Sequence, residues 1–467
     1  MTNGSSGAIV DALQDWIVDA PAGAQLPSTR SLVAEHGVSP VTVQKALREL
    51  ARRGLVESRP GVGTFVRPRL SAKAVDHSWQ TATLGPPPAR IPVLPAAMRS
   101  VGNDAISLHA GFPDPELLPM RLVRAALTRA ARSEAAVARP PVAGLPDLQA
   151  WFARELAEQT APGVSSPVGG DVVVLPGSQS GLTSIFSALA ARGGAVVMES
   201  PTYWGAITAA AQVGATVVPV PARAGGPDPD DVDRALRTSG ARVFYAQPTY
   251  ANPTGAQWDP SRGREILDVV RARGAFLVED DWARDFGISS TPRAVAADDD
   301  SGHVIYLRSL SKSVSPAFRV AGMVARGPVR ERILADQGAT TMYVSGLLQA
   351  AALDVVSQPA FGTHLRRLRE QLQARRDLLL GALGEHAPAV QIEQVPAGGL
   401  NLWARLPDGS DVGQVVLRCE RSGLVIAAGS AWFPAEPTGA YVRLSYAGPD
   451  SSSYGRAAQI LGGALDG

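Results

Sequence analysis

Two modules of different kind are written into this chain: a small winged helix-turn-helix, α-helical with a β wing, and a large α/β domain on a mainly parallel sheet. Three observations predict them. Residues 8–68 hold short capped helices followed by a glycine-turned hairpin. Residues 69–104, with "TLGPPPARIPVLP", are rich in proline and lack periodicity, as a semi-extended linker does. From residue 105 to 467 short, nearly all-apolar runs alternate with amphipathic stretches. A length of 467 residues exceeds one ordinary core and fits such a division.

The first helix is expected from Ala8 to about Asp19, where Ile9, Leu13, Trp16 and Ile17 fall at helical spacing. In "LPSTRSLVAEHGVSPVTVQKALRELARRGLV" Ser28 can cap a second helix that Gly37 closes. Ser39 can cap a third, with Pro40 in its first turn. Val43, Ala46, Leu47 and Leu50 make the buried stripe of that helix, and Gln44, Lys45, Arg48 and Arg52 its outer face. "GLVESR", the turn "PGVG" and "TFVRP" form the wing. From Ser39 to Arg69 seven Lys and Arg stand against two Glu, although the whole chain carries only +1. Such a local patch suits phosphate contacts, with a solvated interaction face as the plainer alternative.

In the large domain "DVVVLP", "AVVMES", "ATVVPV", "RVFYAQ", "AFLVED" and "HVIYLR" read as strands. In open α/β sheets ligands gather beyond the carboxyl ends of the strands, and the polar motifs all follow strands here. "PGSQSGL" opens a helix whose first N–H groups, at Gly177, Ser178 and Gln179, can hold an anion. Tyr203 in "PTYWG" can stack on a planar ligand or be a half-buried core tyrosine. Asn252 in "NPTG" can meet a ring oxygen or cap its turn. "EDDWARDF" brings three consecutive acids, of which at least one should face a cation.

Lysine is rare. Of 44 Lys and Arg only Lys45, Lys73 and Lys312 are lysine, and from residue 74 onward Lys312 is alone. Arginine stays protonated and cannot condense with a carbonyl, so a solitary amine in "LRSLSKSVSPAFR" suggests a Schiff base, with a surface lysine as the commoner reading of that residue taken alone. An amine, an anion cradle, a ring partner and an acid are together what pyridoxal phosphate needs. Its aldehyde would take Lys312, its phosphate Ser178, Ser309 or Ser311 and Arg319, and its ring nitrogen an aspartate. Arg443 lies within an apolar strand, which suggests an anionic ligand or an internal salt bridge.

Other readings find little support. Hydrophobic content of 45% and charged content of 19% describe a globular protein, and one cysteine (Cys419) allows no internal disulfide. Six scattered histidines give no metal-site spacing. "MTNGSSGAIVDALQDW" lacks a signal-peptide pattern, and Trp204–Val220 reads as a buried helix and strand, so a cytoplasmic location is expected.

Residues 8–68 resemble the GntR family of winged-helix regulators. That likeness implies DNA contacts at Arg30, at Ser39, Thr42, Gln44, Lys45 and Arg48, and at the wing glycines Gly61 and Gly63. From "LHAGFPDPELLP" to "YVRLSYAG" the chain resembles fold-type I pyridoxal-phosphate-dependent transferases, in particular the aminotransferase-like effector domain of MocR-type GntR regulators. "SLSK" with Arg319, "NPTG" and the double Asp carry the likeness. It implies a smaller C-terminal α+β subdomain and a head-to-tail homodimer. It also implies cofactor contacts at Gly177, Ser178, Gln179, Tyr203, Asn252, Trp282, Ser309, Ser311, Lys312 and Arg319. It places Asp280 on the ring nitrogen in preference to Asp281, and an effector carboxylate on Arg443. Two departures stand out: Trp282 where tyrosine is usual, and no tyrosine in "RPPVAGLPDL". The expected function is a regulator that senses an amino compound, or the cofactor, through an aldimine at Lys312. The alternative is a working aminotransferase with a DNA-binding appendage.

Overall fold

The computed structural model describes residues 4–68, 99, 101–102, 105–191, 193–448 and 450–466. The chain divides into two compact units, Met1–Pro87 and Pro88–Gly467. Nearly all of the expected linker lies outside the described residues; Arg99, within it, pairs with Glu420 at 2.5 Å.

The first unit has three helices, α1 (Gly4–Asp19), α2 (Thr29–His36) and α3 (Pro40–Arg52), and a hairpin of β1 (Val56–Arg59) and β2 (Gly63–Val66). Ser28 and Ser39 accept the N–H groups of Ser31 and Thr42 at 3.1 and 3.2 Å, so both caps form as their sequence suggests. Gly37 closes α2 in the left-handed conformation. Ile9, Leu13, Ile17, Leu32, Val43, Ala46, Leu50, Val56 and Val66 make a single core. Helix α1 begins four residues before the expected Ala8. Trp16, expected on the buried stripe, is 39% exposed, because Ile9, Leu13 and Ile17 already fill the side facing α3.

The second unit is built on seven strands in the order β4-β10-β9-β8-β7-β5-β6. A two-residue strand, β3 (Ile106–Ser107), precedes them. They are β4 (Val172–Leu175), β5 (Ala195–Ser200), β6 (Thr216–Pro221), β7 (Val243–Ala246), β8 (Phe276–Asp281), β9 (Val304–Ser309) and β10 (Ala321–Val324). The six expected strands are present, and β5 to β9 pair in parallel. The seventh, β10, is antiparallel to both β4 and β9 and makes the sheet mixed. Successive residues point to opposite faces. Val172 and Val174 pack with Trp151, Phe152 and Val355, while Val173 and Leu175 pack with Leu182, Ile185 and Phe186. Both faces are covered, which is why the strands read as continuous apolar runs.

The smaller C-terminal part packs the long helix Pro359–His386 and the helix Tyr454–Leu465 against a second sheet. This sheet contains β11 (Asn401–Arg405), β13 (Ala427–Ala428) and β14 (Tyr441–Ser445), in the order β11-β14-β13. Between β11 and β13 lies β12 (Leu424–Val425), which pairs in parallel with β3 and ties the segment around His109 to this part. Among the described residues no helix is long and apolar enough to cross a membrane.

Candidate functional site

Several loops converge on one cleft, beyond the carboxyl ends of β5, β7, β8 and β9 and the end of β4. Its lining includes Ser178, Asn252, Asp280, Trp282, Lys312 and Arg319.

The anion end is assembled by β4 and the helix it feeds. Gly177 caps the helix Ser178–Ala190 at φ 88°, and a Cβ there would stand 2.5 Å from the Arg319 guanidinium. Only glycine allows that approach. Arg319 has a left-handed backbone itself, at φ 49°, an unusual conformation for a residue with a side chain. The hydroxyl oxygens of Ser178 and Ser311 are buried and, among the described residues, have no hydrogen-bond partner. Ser309 faces the same cleft but accepts the Ser311 N–H at 3.3 Å. Gln179 uses its side chain elsewhere: Nε2 donates to the Gly205 carbonyl at 2.8 Å and Oε1 accepts the Tyr203 hydroxyl at 3.1 Å. It thereby orients Tyr203, leaving its backbone as what it offers an anion. Two unsatisfied hydroxyls and a guanidinium over a helix start form a fitting receptor for a phosphate group.

Strand alternation separates the three acids of β8, all of them buried. Glu279 turns away from the cleft and accepts the N–H groups of Val295 and Ala296 at 3.0 and 2.8 Å; burial nonetheless raises its pKa to about 8. Asp281, on the same face, accepts the Tyr306 hydroxyl at 2.7 Å and lies 4.0 Å from Arg284. Asp280 alone enters the cleft. Its Oδ2 accepts hydrogen bonds from Tyr245 Oη at 2.9 Å and Gln247 Nε2 at 2.8 Å, and its Oδ1 is buried without a partner among the described residues. Burial raises the pKa of this carboxyl, while the two donors and Lys312 oppose that rise. An orphaned carboxylate oxygen in a closed cleft suits a protonated ring nitrogen.

Lys312 follows β9. Its Nζ stands 3.9 Å from the centre of the Trp282 ring and 5.8 Å from that of Phe112. Burial lowers its pKa to about 7, the cations Arg443 and Arg319 add to the fall, and Asp280 opposes it. Near neutrality such an amine is a nucleophile. Trp282 presents the face of its indole to the amine, and its Nε1 has no partner among the described residues.

Arg443, on β14, is 1% exposed. NH2 donates to the His109 carbonyl at 2.6 Å and NH1 to Asn252 Oδ1 at 3.3 Å, and the guanidinium lies 4.8 Å over the Trp432 ring. Burial lowers its pKa to about 10. The internal salt bridge held open as an alternative is absent among the described residues; neutral oxygens hold the guanidinium, leaving its charge available to an anionic ligand. Asn252 Oδ1 also accepts Trp432 Nε1 at 3.1 Å, which turns the Asn252 NH2 group away from that side.

Sequence reasoning assigned no role to Phe112, Tyr245, Gln247, His109 or Trp432. His109 and Phe112 lay inside the quoted motif "LHAGFPDPELLP", and Tyr245 and Gln247 inside the quoted strand "RVFYAQ". Their partners in the site lie as few as 33 and as many as 334 residues away, which no local pattern reports.

In the first unit Arg30, Ser39, Gln44, Lys45, Arg48 and Gly61 are exposed, with Thr42 and Gly63 half-buried. Arg48 Nε donates to the Gln44 carbonyl at 3.3 Å. Arg52 and Arg53 are both held by Glu49, at 2.7 and 2.9 Å, which removes part of their charge from the outer face. At the wing Gly63 has φ 142°, and a Cβ would meet Gln25 Nε2 at 2.4 Å, the group that donates to the Val62 carbonyl.

Comparison with known proteins gives two family matches: "Aminotransferase class I and II" over residues 103–461 and "Bacterial regulatory proteins, gntR family" over residues 5–66. The chain is 29% identical over 433 residues to the uncharacterized HTH-type transcriptional regulator YdfD of Bacillus subtilis, covering 91% of this chain and 89% of that one. It is 29% identical over 391 residues to the "Probable rhizopine catabolism regulatory protein MocR" of Rhizobium meliloti, covering 82% and 78%. It is 28% identical over 368 residues to 2-aminoadipate transaminase of Thermus thermophilus, covering 78% and 90%. Among solved structures, the alpha-aminoadipate aminotransferase of Thermus thermophilus, complexed with N-(5'-phosphopyridoxyl)-L-leucine, superposes with a TM-score of 0.72 at 27% identity. That match covers 81% of this chain and 95% of the other.

Proposed function

We propose a regulatory role, on the premise that this chain belongs to the class I and II aminotransferase family and carries a gntR-family module ahead of that domain. It is a GntR-type regulator fused to an aminotransferase domain, its N-terminal module binds DNA, and pyridoxal 5′-phosphate is its cofactor. Beyond that, the large domain senses an amino compound, or the cofactor itself, and alters how the DNA-binding modules engage an operator. The observation that carries this reading is the pairing of Lys312 with Arg443. A buried amine with a pKa of about 7 shares its surroundings with a buried arginine that, among the described residues, no carboxylate holds.

When bound, the cofactor supplies an aldehyde and an electron-accepting ring. The chain supplies the rest. Lys312 offers an unprotonated amine to the aldehyde. Ser178, Ser311, the Gly177–Gln179 backbone and Arg319 would hold the phosphate, with Ser309 beside them. Asp280 would meet the ring nitrogen, Asn252 the ring oxygen, Tyr203 and Trp282 the ring's surroundings, and Arg443 an effector carboxylate. In the DNA-binding module Arg30, Ser39, Thr42, Gln44, Lys45, Arg48, Gly61 and Gly63 would face the operator. One winged helix reads one half-site, so a homodimer, arranged head to tail, would place two modules on a two-fold operator. The protein would work in the cytoplasm, where that operator is.

A working aminotransferase is the second reading, favoured by 28% identity to a transaminase over 90% of its length. Visible absorbance of the purified protein with pyridoxal phosphate, followed through a panel of amino compounds, separates the two. A band that shifts with one compound and stays shifted identifies a sensor and its effector. A band lost to the amino form of the cofactor, and restored by an oxo acid, identifies turnover and sinks the pure-sensor reading.

A further inference from the structure

We infer that Gln247 is a positioning residue for the cofactor's ring nitrogen, making one oxygen of Asp280 the less basic of the two. The inference rests on the reading above, in which Asp280 meets that nitrogen. Gln247 lies just past β7 and is 3% exposed. Its amide has two partners: Oε1 accepts the backbone N–H of Asn252 at 2.9 Å, and Nε2 donates to Asp280 Oδ2 at 2.8 Å.

The amide has no freedom to turn over. A backbone N–H can only donate, so it must meet the amide oxygen, and the NH2 group is thereby aimed at Asp280. An NH2 group also only donates. Asp280 Oδ2 receives the Tyr245 hydroxyl as well, at 2.9 Å, and with both groups donating its two acceptor positions are filled. Among the described residues Oδ1 has no partner. A proton shared between the carboxyl and a ring nitrogen therefore sits on the Oδ1 side. The Tyr245 hydroxyl can reverse and accept. The Gln247 amide, pinned from behind by Asn252, cannot, so one acceptor position of Oδ2 stays filled and Oδ1 stays the more basic oxygen.

Two donors on Oδ2 favour the Asp280 anion against the effect of burial. An anionic Asp280 leaves the proton on the ring, and a positively charged ring lowers the basicity of the nitrogen that joins Lys312 to the cofactor. Removing a donor makes Asp280 a better competitor for the ring proton, so the joining nitrogen becomes more basic. Gln247 thus sets a titration, and its loss should appear as a displaced one.

The experiment titrates the visible absorbance of the cofactor-bound full chain against pH for the wild type, Gln247→Met and Tyr245→Phe, with thermal unfolding measured alongside. Gln247→Met, which keeps the side-chain length, should raise the absorbance midpoint by about one pH unit or more, a tenfold change in proton affinity. Tyr245→Phe should move it the same way but less, since the amide remains. A Gln247→Met protein that unfolds like the wild type and titrates with the same midpoint overturns the inference. Should Gln247→Met not fold, Gln247→Leu takes its place: a folded Gln247→Leu protein with an unmoved midpoint overturns it equally. A wild type that takes up no pyridoxal phosphate overturns the underlying reading and this inference together. Variants that coincide with a cofactor-loaded wild type overturn this inference alone.

Discussion

Capture of pyridoxal phosphate by Lys312 should depend on pH in a way no ordinary lysine shows. An amine with a pKa of 10.5 is neutral in roughly one molecule in three thousand at pH 7, whereas at a pKa of about 7 half the population is neutral. The advantage in reactive amine is therefore about a thousandfold at neutrality. The sign follows from the causes: burial disfavours the cation, Arg443 and Arg319 repel it, and only Asp280 supports it. The assay mixes cofactor-free protein with pyridoxal phosphate across a pH series and follows visible absorbance. Each rate is divided by that of a lysine peptide, so that the cofactor's own titration cancels. The relative rate should be highest at and below neutrality and fall about tenfold per unit on the alkaline side, as the peptide gains neutral amine and Lys312 has none left to gain. Arg443→Met should move the Lys312 midpoint upward without reaching the ordinary lysine range, because burial, the larger cause, remains. A relative rate independent of pH up to the alkaline end would mean an ordinary amine and refute the argument.

Three further outcomes follow from the same structure. Ser178→Ala and Ser311→Ala should leave the cofactor-free protein's melting temperature unchanged or slightly raised, since each hydroxyl is buried without a partner, yet each should weaken pyridoxal phosphate binding by about 1.5–3 kcal/mol, read by equilibrium dialysis. Among the described residues only Trp258 Nε1 donates to Glu199, at 3.4 Å, and burial raises its pKa to about 8. Because the folded state holds this proton more tightly than the unfolded one, its contribution is present below the unfolded carboxyl pKa and lost as pH rises through about 8. Glu199→Gln should therefore raise the melting temperature at alkaline pH and have little effect at acid pH. Arg48→Ala should weaken operator binding and lower the slope of log affinity against log salt by about one, with a smaller change for Arg52→Ala, whose guanidinium Glu49 already holds.

How far the sequence could be read varied with the range of the forces involved. The caps at Ser28 and Ser39 were legible because a cap is decided within three residues. The six parallel-type strands were legible because burial on both faces leaves an unbroken apolar run. Strand β10 was not: "AGMV" is four residues long and contains a glycine, and it owes its conformation to pairing on both sides. The separation of Asp280 from Asp281 is a matter of strand period two, legible once β8 was placed. Gln247 was beyond reach, because a glutamine before a proline looks like any strand end and its partners are set by tertiary packing. Trp282 was legible as a departure from the expected phenol. Its arrangement face-on to Lys312 was not.

The contact of Arg443 with His109 and Asn252 joins three distant stretches of chain, and this gives the protein a chronology. A ribosome completes the DNA-binding module, at residue 66, long before it reaches residue 443. At about 5–20 residues per second that interval is of the order of half a minute, and domains fold as they emerge. On the sensing role proposed above, each nascent chain would during that time present a finished DNA-binding module with no means of hearing an effector. A messenger translated close to its own operator would expose such deaf modules to it, and obedience to the effector would come only with the final strands.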